Sequence, residues 1–187
     1  MFIRLYDKRI FAPYKCGIRH LQKIFLYEEY QHFDLPIFDY RVYFIVREPI
    51  EQLKSALHTE LLDYRNDDDF KDKFLKFIYD GGFSTKHFIN TLYKTIYFYK
   101  IKSKNCEIVD LKNLNYLITS FGYNLPYKKD DYNWKYERKN WIDKERFYEY
   151  LKLQYPNEIL ILENWIKIQN EYYDLLIENK IKKNSLI

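Results

Sequence analysis

An uninterrupted apolar run, Tyr43-Phe-Ile-Val46, meets Arg47 at once, and Pro49 then opens an amphipathic stretch that continues to about Asp63. Consecutive apolar residues without polar alternation suit a strand buried on both faces, the kind found in the parallel sheets of α/β proteins. Proline is tolerated in the first turn of a helix, where its missing N–H would have had no partner. The segment therefore predicts a strand over Arg41 to Val46 that hands directly to a helix. A strand ending this way sets an arginine fork and unpaired helix N–H groups at one rim, where the helix dipole also favours negative charge. Ser55 stands eight residues beyond Arg47 and adds a hydroxyl if its helix face looks back toward that rim. Together Arg47 and Ser55 outline an anion site.

The rest of the chain continues the rhythm. Arg9 to Ala12 predicts a short strand, and Gly17 to about Tyr30 a helix with Leu21, Ile24 and Phe25 inward. Asp67-Asp68-Asp69 precedes an amphipathic segment containing Phe70, Phe74, Leu75 and Ile78. Acidic residues at that place offset a helix dipole, which accounts for them without a metal cluster. Gly81-Gly82 stops this helix, and Ser84 or Thr85 caps the next, which carries His87, Phe88, Leu92 and Ile96. Cys106 to Leu111 predicts a third strand, Lys112 to Phe121 a helix ended by Gly122, and Asn124 to Lys139 a long loop. Asp143 caps a helix to about Gln154, Pro156 breaks it, and a last helix runs to about Glu178. Strands alternating with helices predict an α/β fold with a small parallel sheet flanked by helices and a helix-rich C-terminal half.

With 187 residues the chain suits one domain, residues 1–187, and can bury a core without staples. Its 31 basic and 27 acidic residues leave a formal charge of +4, too mild and too evenly spread for a nucleic-acid binder. The two cysteines, Cys16 and Cys106, are too few for a disulfide framework and fit a reducing compartment. No run approaches the length of a membrane span and no signal-peptide core is visible, so a cytoplasmic or otherwise soluble protein is expected. The long nucleotide loop Gly-x4-Gly-Lys-Ser/Thr and the fingerprint Gly-x-Gly-x-x-Gly are absent from the sequence. That argues against ordinary ATP or GTP hydrolysis and Rossmann dinucleotide binding.

The segment Arg47-Glu-Pro-Ile-Glu-Gln-Leu-Lys-Ser55 resembles the 3′-phosphate-binding motif of sulfotransferases that use 3′-phosphoadenosine 5′-phosphosulfate (PAPS), especially the carbohydrate type, Arg-Asp/Asn-Pro-x-x-Arg-x-x-Ser. The resemblance implies that Arg47 and Ser55 hold the nucleotide's 3′-phosphate. Glu48 replaces Asp or Asn, and Gln52 stands where many members carry a second arginine. Upstream, Phe11-Ala-Pro-Tyr-Lys-Cys-Gly-Ile-Arg-His-Leu21 is similar to the family's 5′-phosphosulfate loop, Pro-Lys-x-Gly-x-Thr-x-Leu. Lys15, Cys16, Gly17 and Leu21 match, whereas Tyr14 stands in the proline's place and Ile18 and Arg19 where threonines are common. Backbone amides from Cys16 to Arg19 can still cradle a phosphate. His20 lies inside the same loop.

The resemblance extends the expectations to a P-loop-NTPase-like sulfotransferase fold and to sulfuryl transfer from PAPS to an acceptor hydroxyl, with a glycan as the expected partner and no metal. Lys15 would neutralise charge on the leaving phosphate. In the family a histidine or glutamate serves as base, which points to His32, with Glu28, Glu29, Asp34 and His20 as alternatives. A late loop in the family closes over the nucleotide. Here that implies Arg138 and Lys139 on the phosphate, and Trp134, Tyr136 or Trp141 on the adenine. His58 and His87 read as partly buried helix residues. Two other readings stay open: a nucleotide-dependent phosphotransferase with an atypical loop, and an inactive nucleotide- or glycan-binding module of the same fold.

Overall fold

A computed structural model describes residues 2–5, 8–13, 16, 21, 41–79, 92–102, 105–123 and 142–184. Within them lie four strands, β1 (Phe2–Leu5), β2 (Lys8–Phe11), β3 (Arg41–Val46) and β4 (Cys106–Asp110), in the order β1-β2-β3-β4. β2, β3 and β4 are parallel, with Phe11 opposite Phe44 and Val46 opposite Asp110. The sheet's first strand departs from expectation. β1 pairs antiparallel with β2, Phe2 opposite Phe11, so an antiparallel edge precedes the parallel set.

Six helices follow β3 in the described residues: α1 (Pro49–Leu61), α2 (Phe70–Tyr79), α3 (Leu92–Lys102), α4 (Leu114–Ser120), α5 (Lys144–Gln154) and α6 (Pro156–Asn184). The parallel strands are covered on both sides, as their unbroken apolar composition requires. On one face Ile10, Tyr43, Ile45 and Val109 pack with Cys16, Leu21 and the α4 residues Leu114, Leu117 and Ile118. On the other, Phe11, Val42, Phe44, Val46 and Ile108 pack with Tyr93 and Ile96 of α3 and Leu176 of α6. A third cluster is purely helical and joins Leu53 and Leu57 of α1, Phe70 and Phe74 of α2, Phe147 of α5 and Leu162 of α6. α6 thus serves two cores: its first half packs among helices and Leu176 packs on the sheet.

Local chemistry explains most boundaries. Asp143 accepts hydrogen bonds from the N–H groups of Glu145 and Arg146, both at 3.0 Å, and starts α5. Tyr155, just before Pro156, is driven out of helical geometry to φ −136 and ψ 56, which separates α5 from α6. The helix expected from Lys112 begins instead with a 3-10 turn, Leu111–Asn113, because the Asp110 carboxylate accepts the Lys112 N–H at 2.8 Å. Gly122, at φ +82, ends α4. The N–H groups of Gly122 and Tyr123 return to the Thr119 and Ile118 carbonyls at 2.9 and 3.4 Å, a Schellman closure. The triple aspartate does what a first turn asks of it: Asp67 and Asp69 pair with Lys73 at 2.6 and 2.8 Å, at the start of α2. In α2 the buried aromatics include Phe77, whereas Leu75 is only half-buried. No helix of the described residues is long and apolar enough to cross a membrane.

Candidate functional site

Because β2, β3 and β4 run parallel, their carboxyl ends lie side by side, and the chain leaving them brings Cys16, Arg47 and Asp110 to one rim of the sheet. Open α/β sheets bind ligands outside this edge. Two of the sequence-predicted residues, Cys16 and Arg47, therefore meet there. The Arg47 guanidinium opposes the rise that burial imposes on the Cys16 thiol.

Arg47 sits in the elbow between β3 and α1. Its N–H donates to the Tyr93 hydroxyl at 3.2 Å, and that hydroxyl donates to the Arg47 carbonyl at 2.6 Å, so one side chain holds both backbone groups of one residue. The same hydroxyl stands 3.0 Å from the side-chain oxygen of Gln52. Tyr93 and Gln52 are each 1% exposed. Gln52, at the position of the family's second arginine, thus points into the protein and braces the elbow.

The first intrahelical bond of α1 runs from the Gln52 N–H to the Glu48 carbonyl at 3.0 Å, which leaves the Ile50 and Glu51 amides ahead of it. Glu48 makes no side-chain cap. Arg47 reaches Glu51 at 3.7 Å, and Ser55, half-buried, follows one turn later on the same helix row. Glu51 also pairs with Lys54 at 3.3 Å and with Lys144 of α5, while Lys54 reaches Glu145 at 2.5 Å. Among the described residues, the cations Arg47, Lys54 and Lys144 outnumber the carboxylates Glu51 and Glu145 in this cluster. Burial pushes the Glu51 carboxyl up, but the hydrogen bonds from Lys144 and Lys54 outweigh it and hold the group below its ordinary value. Glu51 therefore remains ionised at neutral pH.

Cys16 is fully buried, and its N–H donates to the Pro13 carbonyl at 3.0 Å. That amide already has a partner close by in the chain. Burial pushes the thiol up to about 12 against the opposing pull of Arg47, which makes it a poor nucleophile near neutrality. The Tyr93 phenol is raised well above its ordinary value, by burial first and then by the thiol. Asp110, at the end of β4, accepts from the Tyr173 hydroxyl at 3.0 Å, and burial together with that carboxylate raises the Tyr173 phenol.

Of the other sequence-predicted residues, Lys15, Gly17, Ile18, Arg19, His20, His32, Arg138 and Lys139 lie outside the described residues, as do Glu28, Glu29, Asp34, Trp134, Tyr136, Trp141 and His87. His58 is buried as expected, with Nε2 2.8 Å from the Ile142 carbonyl oxygen. Sequence reasoning missed Tyr93, Gln169 behind it, and Tyr173; nothing distinguishes two of them among 21 tyrosines. Asp110 carried a signal, an acidic residue closing a strand. Among the described residues no group of three His, Cys, Asp or Glu is placed to hold a metal ion. Comparisons of the chain with protein-family models, with curated proteins and with solved structures return no match.

Proposed function

We propose that this chain is a PAPS-dependent sulfotransferase acting on the hydroxyl of a carbohydrate or similar acceptor. The observation that carries the reading is the meeting of Cys16 and Arg47 at the carboxyl ends of adjacent parallel strands. Without that meeting, the segment around Cys16 and the segment around Arg47 would be two unrelated turns.

The residues fit a 3′-phosphate. Arg47 supplies a fork, Lys54 and Lys144 reach the Glu51 carboxylate beside it, and Ser55 lies on the same row of α1. In the proposed reaction the acceptor oxygen attacks sulfur as the bond from sulfur to the leaving phosphate oxygen breaks, an in-line displacement like phosphoryl transfer. Lys15 neutralises the charge that collects on the leaving phosphate, His32 takes the acceptor's proton, and the loop amides after Cys16 hold the 5′ side. Arg138 and Lys139 close over the nucleotide.

Thermal melting with 3′,5′-ADP, with 5′-AMP and with magnesium-ATP tests this. The expected result is a rise with 3′,5′-ADP alone, about 5–10 °C at a hundredfold excess over Kd, lost in Arg47→Ala. A rise only with magnesium-ATP would favour a phosphotransferase. Equal shifts with all three, or none, would sink the proposal.

A further inference from the structure

We propose that Tyr93 is a positioning residue for anion binding: its hydroxyl fixes the β3–α1 elbow and thereby the direction in which Arg47 presents its guanidinium. The inference rests on the nucleotide reading above and extends it to a residue outside both motifs. Arg47 stands one residue beyond β3 and two before α1, where neither the sheet ladder nor the helix ladder orders its backbone. An arginine on a loosely held backbone loses affinity to the entropy of orienting it. Tyr93 replaces the missing ladder. Its hydroxyl bonds the Arg47 N–H and carbonyl at 3.2 and 2.6 Å and touches Gln52 at 3.0 Å.

The ring is anchored independently of the elbow. It packs with Phe44, Val46 and Leu176 on one sheet face and meets Tyr173 edge-on at a centroid distance of 6.0 Å. One buried side chain thus packs on the sheet through its ring and holds the Arg47 backbone through its hydroxyl. Tyr93→Phe removes only the oxygen and keeps the ring's packing.

Two measurements judge this. Amide exchange of the wild-type chain should show the Arg47 N–H protected although it lies outside both ladders, and Tyr93→Phe should speed it about tenfold; fast exchange in the wild type, or no change in the variant, overturns the inference whether or not nucleotide binds. Calorimetric titration should show Tyr93→Phe weakening 3′,5′-ADP about five- to tenfold and 5′-AMP little, with no further loss when added to Arg47→Ala. Equal weakening of both nucleotides, as plain destabilisation would give, overturns the positioning role. A wild-type chain that binds neither nucleotide sinks the nucleotide reading and this role with it, and leaves the exchange result to report on the elbow alone.

Discussion

The side-chain oxygen of Gln169 accepts a hydrogen bond from the backbone N–H of Tyr93 at 3.2 Å. Tyr93 lies in the first described turn of α3. Gln169, 1% exposed on α6, supplies the acceptor from another helix. Replacing it with leucine strands a buried donor, and the expected cost is about 1–3 kcal/mol in urea unfolding. Gln169→Glu keeps an acceptor but buries a charge, so it should be no milder. A Gln169→Leu chain within about 0.5 kcal/mol of wild type would show that this contact does not hold α3.

Glu51 ties three cations together, and its replacement should separate stability from binding. Its carboxyl is held below the ordinary value of 4.5 by Lys144 and Lys54 against the opposing effect of burial. A depressed folded-state value means that the unfolded chain binds protons first as pH falls. The stabilisation is therefore complete above about 4.5 and disappears below it. Glu51→Gln should flatten that acid limb in melts from neutral pH downward, at a cost near neutrality of no more than about 1 kcal/mol, since the group is partly exposed. The same change removes a counter-charge 3.7 Å from Arg47, so 3′,5′-ADP affinity should rise. A fall would mean that Glu51 orients Arg47 more than it neutralises it.

Gly122 offers a test of backbone conformation without packing. It lies at φ +82, and a Cβ added there would meet nothing within 4 Å. Gly122→Ala should therefore cost only the left-handed strain, about 1–2 kcal/mol, and Gly122→Asn less. A neutral alanine would place the end of α4 elsewhere.

How far the sequence could be read follows from where each signal resides. β3 and α1 came through because an unbroken apolar run and a proline act locally, and Gly122, Asp143 and Pro156 marked the ends of α4, α5 and α6 through backbone preferences of single residues. β1 did not, since Phe2 to Leu5 is too short to show a period and owes its place to pairing with β2. The 3-10 turn at Leu111 also escaped, because it depends on which partner Asp110 chooses. At the candidate site, the placing of Arg47 at the elbow between β3 and α1 followed from the strand and proline around it. Tyr93 was not: its role comes from a fold that carries α3 back across β3, and a tyrosine 46 residues away bears no mark of it.

The thiols make the final case, because their state depends on the packing of the rim. Cys16 and Cys106 are both buried and share no disulfide. Burial carries the Cys16 thiol from 9.0 up to about 12, with Arg47 pulling the other way. A native chain should thus resist a disulfide-exchange reagent at about pH 8 and release both thiols only in denaturant. The same displacement predicts an alkaline limb. Between 9.0 and about 12 the unfolded chain loses the Cys16 proton while the folded chain keeps it, so stability falls as pH rises. Tyr93, raised for the same reason, adds to the slope above the ordinary phenol value of 10.0. Urea unfolding across this range should show the decline, and Cys16→Ala should make it shallower whatever its effect on stability at neutral pH. Rapid labelling of one thiol in the native chain would mean that the segment bearing Cys16 opens to solvent, and the rim would then lack the closed packing on which the site depends.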